Sequence, residues 1–261
     1  MNIDRKRIII TGAASGIGYE LLKLLSAYDA RIVAADRETV NRDALGGSKG
    51  QIHYFSGDLS QQSDVDSLFD YALETMGGID LFIANAGFAY YEAISTADWE
   101  HIERIFQVNV ISPLYAAARM QEINPTVPYT VVITASAMAK LALPGYAFYA
   151  STKSAIDRFA EAYRYEAPDN AHLTIVYPIA TRTNFFEADG KDAPVPFPSQ
   201  SSTHVATRII RGIENDAHTV NPSPVFMMFW TLNRILPFMG RLYQYVEYRR
   251  FHRWRLAQNR R

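Results

Sequence analysis

Arg7-Ile8-Ile9-Ile10-Thr11-Gly12-Ala13-Ala14-Ser15-Gly16-Ile17-Gly18 is an apolar run that breaks into glycines and resumes as a helical pattern reaching Tyr28. The run has the length and β-branched content of a buried strand. Glycines behind it allow a tight turn and a close backbone approach, and a helix opening there presents unpaired N–H groups and partial positive charge to an anion. Glycine clusters are common in loops, so the weight falls on the position between strand and helix. Gly12, Ser15, Gly16, Ile17 and Gly18 are therefore candidates for holding a dinucleotide pyrophosphate.

Outward from this stretch, five more short apolar runs are expected as strands, at 31–35, 51–55, 81–85, 130–134 and 173–177. Helical spacing separates them at 16–28, 61–76, 99–120 and 148–166, the third expected as one long helix. Alternating strands and helices imply parallel βαβ units, and nearly continuous Ile, Val and Leu runs imply helices on both faces. The expected class is α/β, a doubly wound parallel sheet in a single domain, residues 1–220. Residues 178–202 hold four prolines and read as a flap over a site, 203–214 return to helix, and 217–221 can add a short seventh strand. Residues 221–261 form a tail expected to be helical.

Asp36 closes the second expected strand, eighteen residues beyond Gly18. A carboxylate there can hold the adenosine ribose hydroxyls and repel a 2′-phosphate, which favours NAD(H), while adjacent Arg37 leaves NADP(H) open. Tyr149-Ala150-Ser151-Thr152-Lys153 places a phenol and an ammonium one helical turn apart, with Ser136 thirteen residues earlier at a strand end. An ammonium beside a phenol favours the phenolate, so the tyrosine pKa is expected to be drawn down toward the working pH of an acid/base. Ser136 can donate a hydrogen bond to a substrate oxygen.

With these motifs the sequence resembles the single-domain branch of the short-chain dehydrogenase/reductase family, from Lys6 to about Thr183. Asp58-Leu59, Asn85-Ala86-Gly87 and Asn109 stand in order at the family's spacing. The resemblance implies a Rossmann fold and an NAD(P)-dependent enzyme moving a hydride between nicotinamide and a ketone or secondary alcohol. It implies Tyr149 as proton carrier, Ser136 polarising the carbonyl, Lys153 tuning Tyr149 and holding the nicotinamide ribose, and Asn109 anchoring a relay water. It also implies Asp58 and Leu59 beside adenine, Asn85, Ala86 and Gly87 along the adenosine, and Pro178, Thr181 and Thr183 beside the nicotinamide. Two departures stand out: Ile179 replaces a usual glycine, where a positive φ would strain a β-branched residue, and the usual C-terminal tetramer-packing strand is missing. A homodimer or monomer is expected rather than a tetramer.

Composition narrows the rest. Apolar residues make up 48% of the 261, charged residues 20%, and there is no cysteine, which excludes disulfides and thiolate chemistry. No metal site is expected. A polar start running into the first strand leaves no room for a signal peptide, so cytoplasmic exposure is expected. The tail from Val220 holds eight arginines against Glu247 alone, for a net charge of +7. That charge, interleaved with aromatic residues, suits an anionic membrane surface as well as it suits a helix packed over the pocket with a solvated basic face. Nucleic acid is not an expected partner. Phe185, Phe186, Pro196 and Phe197 in the flap suit a hydrophobic substrate, such as a steroid, lipid or polyketide-like compound. Two other readings stand beside the dehydrogenase: an isomerase or dehydratase that retains its cofactor, and a non-catalytic dinucleotide-binding module.

Overall fold

The structure is a computed structural model and describes residues 1–45, 47–183 and 194–258. The chain alternates strand and helix: β1 (Arg7–Thr11), α1 (Gly16–Leu25), β2 (Arg31–Asp36), β3 (Gln51–Ser56), α2 (Gln62–Met76) and β4 (Leu81–Ala84). It continues through α3 (Trp99–Phe106), a π-helical turn at Gln107–Ile111, α4 (Ser112–Ile123), β5 (Tyr129–Thr134), α5 (Ala147–Glu166) and β6 (Ala171–Val176). Then come the short pair β7 (Thr181–Arg182) and β8 (Gln200–Ser201), followed by α6 (Ser202–Glu214), β9 (Thr219–Val220), α7 (Pro224–Ile235) and α8 (Phe238–Gln258).

Seven strands form one parallel sheet in the order β3-β2-β1-β4-β5-β6-β9, with Ile9 opposite Val33 on one side and Phe82 on the other. Alternation along β1 divides the core. Ile9 joins a layer with Phe69 of α2, Met120 of α4 and Ile156 of α5, whereas Ile8 and Ile10 join Leu22 of α1 and Ile209 of α6. A sheet covered on both faces needs apolar residues throughout, which is why its strands read as continuous runs. The order reverses between β1 and β4, and the crevice beyond the strand C-termini at such a reversal is where ligands bind in open α/β sheets.

The stretch expected as one helix from 99 to 120 is instead interrupted. Pro113 has no N–H to donate to the carbonyl of Asn109 four residues earlier, and the backbone widens locally, with the Ser112 amide bonding the Gln107 carbonyl. The seventh strand is as short as expected, and the tail is helical.

Candidate active site

The glycine loop shows why glycines stand there. Gly12 and Gly16 adopt φ of +68° and +56°, and a Cβ on Gly18 would lie 1.9 Å from the Gly12 carbonyl oxygen. Ser15 precedes α1 in extended conformation without capping it by its side chain, so the hydroxyl stays exposed beside the helix N-terminus. The Asp36 carboxylate accepts from the Ala14 amide (2.8 Å) and the Glu38 amide (3.0 Å), tying the end of β2 to this loop. Thr11 braces it from below: its hydroxyl accepts from the amides of Asn85 and Ala86, both at 3.1 Å.

A cavity of about 500 Å³ runs from this loop across the strand ends. Gly12, Ser15, Gly16 and Ile17 of the glycine loop line it, as do Asp36, Arg37, Asp58 and Leu59, and Asn85, Ala86 and Gly87. Ser136, Tyr149 and Lys153 line it together, as do Pro178, Thr181 and Thr183. Thr183 reaches the glycine loop: a Cβ on Gly16 would meet its Cγ2 at 3.1 Å. Burial works against the charge of the Asp58 carboxyl, yet hydrogen bonds from Ser60 and the field of Arg104, at 4.0 Å, hold it below the ordinary carboxylate range.

Two candidates stand outside this lining. Gly18 is buried beneath the loop, where it serves packing. Asn109 is 1% exposed, and its side chain clamps the backbone of Phe88, donating to the carbonyl at 2.8 Å and accepting from the amide at 3.1 Å. That clamp sets Gly87 against Lys153, whose Nζ would lie 3.6 Å from a Cβ there.

Tyr149 and Lys153 share the inner face of α5, and Ser136 enters from the end of β5. Ser136 and Tyr149 are joined by a side-chain hydrogen bond. The expected lowering of the tyrosine is corrected by the geometry. Burial pushes Tyr149 up to about 12, with the Ser136 bond pulling the other way, and burial pushes Lys153 down to about 8. The ammonium donates to the Thr134 carbonyl at 2.8 Å and stands 5.5 Å from the centre of the tyrosine ring. Tyr149 is therefore set up as a neutral acid. One consequence is measurable: between about pH 8 and 10.5 the unfolded chain keeps a proton on Lys153 that the folded chain has released. Stability contributed at this position rises with pH across that window. Lys153→Met is expected to flatten that rise in Tm, and an unchanged pH profile would contradict it.

Several lining residues carry no motif that a sequence reading could use. Leu143 and Phe88 lie beyond Tyr149, and Val225, Phe226, Phe229 and Tyr243 from α7 and α8 close the cavity from above. Tyr243 donates to the Phe197 carbonyl at 2.7 Å, and Phe251 and Trp254 pack edge-on against Tyr91. The tail thus covers the pocket, one of the two placements left open by its composition. Phe185 and Phe186 lie outside the described residues. Ile179 is not among the described residues with positive φ, so replacing glycine there brings no strain. One turn beyond Lys153 on the same buried face of α5, Asp157 accepts from Lys140 (2.7 Å) and the Tyr177 hydroxyl (2.6 Å), fastening the helix to the segments that follow β5 and β6. No group of residues suited to a metal ion occurs among the described residues.

The family model for short chain dehydrogenase matches residues 6–194. An uncharacterized oxidoreductase of Listeria innocua is 29% identical over 195 residues, covering 72% of this chain and 79% of the relative. Among solved structures, a short chain dehydrogenase/reductase from Burkholderia phymatum in complex with NAD superposes with a TM-score of 0.78 at 21% identity, covering 90% of this chain and 94% of the other. A short-chain dehydrogenase from Sphingobium yanoikuyae in complex with NADPH gives 0.76 at 22% identity, covering 88% and 92%.

Proposed function

The chain belongs to the short-chain dehydrogenase family and is an oxidoreductase of CH–OH and C=O groups working with NAD(P), and from that premise we propose that it acts on a ketone or secondary alcohol of a hydrophobic substrate through Tyr149, Ser136 and Lys153. The observation that carries this reading is that Tyr149, bonded to Ser136 and lying under the Lys153 ammonium, lines the same cavity as the glycine loop.

The residues fit a dinucleotide. Gly12 and Gly16 turn the backbone through positive φ at the cavity wall, Ser15 and the start of α1 suit the pyrophosphate, and Asp36 suits the ribose hydroxyls. Asp58 and Leu59 would flank the adenine, Asn85, Ala86 and Gly87 the adenosine side, and Pro178, Thr181 and Thr183 the nicotinamide. When bound, the nicotinamide supplies or accepts the hydride at the substrate carbon. In reduction Tyr149, held neutral by burial, donates its proton to the carbonyl oxygen and becomes tyrosinate; in oxidation it is the tyrosinate that accepts the proton of the substrate hydroxyl. Ser136 donates a hydrogen bond to the same oxygen, opposing charge build-up where it develops. Lys153 holds the ribose and replenishes the proton. Asn109 acts from behind, through the loop it clamps, and on this reading its carbonyl, which Pro113 cannot bond, would anchor a relay water.

The substrate reading rests on the apolar lining beyond Tyr149: Leu143, Phe88, Phe226 and Phe229 would satisfy no polar ligand. Residues 1–220 are read as the catalytic unit and 221–261 as its roof, in a monomer or homodimer. A panel of hydrophobic ketones and alcohols followed by nicotinamide absorbance tests the proposal, and no turnover across the panel would end it.

NAD(H) is the preferred cofactor on this reading because Asp36 would face a 2′-phosphate with like charge. Asp36→Asn keeps an oxygen for the Ala14 amide and removes the charge. The affinity ratio of NADP to NAD is expected to rise about tenfold, the scale of one such repulsion in a half-exposed site. Equal affinities in the unmodified protein would contradict the preference.

A further inference from the structure

The helices that roof the cavity have a second face. Val225, Met228, Leu232 and Ile235 recur at i, i+3, i+7 and i+10 along α7, and all are exposed, Ile235 by 73%. On α8, Phe238, Leu242, Tyr245 and Val246 continue the pattern on the side opposite Tyr243, Glu247 and Phe251, which turn toward the body of the protein. The two helices are held as a unit by the Gly240 amide bonding the Asn233 side chain at 2.7 Å and by Phe229 packing edge-on against Tyr243. Exposed apolar stripes of this extent on a folded protein mark something they meet.

Charge identifies the occupant. Arg234, Arg241, Arg249, Arg253 and Arg255 are exposed around the stripes. The tail's one acid, Glu247, is buried on the inner face and paired with Arg250 at 2.9 Å. A second copy would bring the same arginines against these and repel them, whereas phosphate headgroups would complement them while the arginine stems lie along the apolar surface. No helix among the described residues is long and apolar enough to cross a membrane, so the contact is one of lying on it.

The stripe is also continuous with the site. Val225 lies on the exposed face of α7 and lines the cavity, and Phe197, 71% exposed between the lining residues Pro196 and Pro198, is tethered to Tyr243. We infer that α7 and α8 dock on an anionic bilayer through their outer apolar stripes and exposed arginines, holding the cavity mouth against the lipid from which a hydrophobic substrate enters. The part concerning entry rests on the substrate reading above; the docking itself does not.

The full-length protein is sedimented with vesicles of pure phosphatidylcholine and with vesicles of equal parts phosphatidylglycerol and phosphatidylcholine. Binding is expected to the anionic vesicles alone, and to fall as salt is raised. Arg249→Gln with Arg253→Gln, and separately Ile235→Asp, are each expected to weaken it about tenfold or more. Both variants should retain wild-type turnover of a water-soluble ketone, which shows that they fold. Protein left in the supernatant with anionic vesicles at low salt would overturn the inference, as would binding indifferent to both variants. Self-association abolished by Ile235→Asp, without vesicle binding, would assign the stripe to a second copy and overturn it equally. Turnover without vesicle binding removes the docking and spares the catalytic reading; vesicle binding without turnover of any carbonyl does the reverse.

Discussion

Tyr149→Phe is expected to lower turnover by at least about 10², the lower scale of acid/base catalysis, while leaving dinucleotide affinity largely unchanged. The substitution removes one oxygen and little else. The ring packs edge-on to Tyr146 at 6.3 Å and lies beneath the Lys153 ammonium, contacts that phenylalanine retains. Because the hydroxyl faces the cavity and Ser136, its loss opens no void in the core. Tm should therefore stay close to that of the unmodified protein, separating a chemical loss from a folding one. Steady-state kinetics beside a thermal melt make the comparison, and turnover that survives would remove Tyr149 from the mechanism.

Gly18→Ala acts beneath the glycine loop. The added methyl group would fall 1.9 Å from the Gly12 carbonyl and 2.7 Å from the Asn85 side-chain nitrogen, so the loop backbone has to move. Overpacking of this kind costs roughly 1–3 kcal/mol, which lowers Tm by several degrees in a chain of this length. A loop displaced from its pyrophosphate geometry is expected to bind the dinucleotide at least about tenfold more weakly, since phosphate contacts there depend on amide direction. Gly47→Ala is the control, having nothing within 4 Å of the added carbon, and should change neither quantity. Equal dinucleotide affinity in Gly18→Ala and Gly47→Ala would mean that this turn does not cradle the pyrophosphate.

How much of this was legible in the sequence depended on whether a feature is local. The strands were, because a sheet buried on both faces writes itself as unbroken apolar runs, as in β1 and β5. The glycine loop and the Tyr149 to Lys153 turn were, because spacing along a helix fixes what shares a face. Asn109 was found by its position, yet the break in its helix was not: the apolar period runs through 99–120 regardless, and Pro113 acts on a carbonyl one turn away. The pKa of Tyr149 was misjudged for a related reason. Proximity to an ammonium is visible in i, i+4 spacing, whereas burial and the Thr134 carbonyl that engages Lys153 come from a strand nineteen residues distant. The roof was least legible. Phe229 and Tyr243 look no different in sequence from Met228 and Leu242, and only the contacts of α8 with Tyr91 and Phe197, and of Phe229 with Tyr243, decide which of them face the cavity.

In the proposed mechanism a phenol and a serine hydroxyl in this cavity manage the proton while a bound nicotinamide exchanges the hydride. Its most direct test is a single turnover of a hydrophobic ketone with limiting reduced cofactor, counting product against the fall in nicotinamide absorbance. One cofactor oxidised for each carbonyl reduced, lost in Tyr149→Phe, is the expected result. Product formed with no net change in absorbance would contradict it and point to an enzyme that regenerates its cofactor within each cycle.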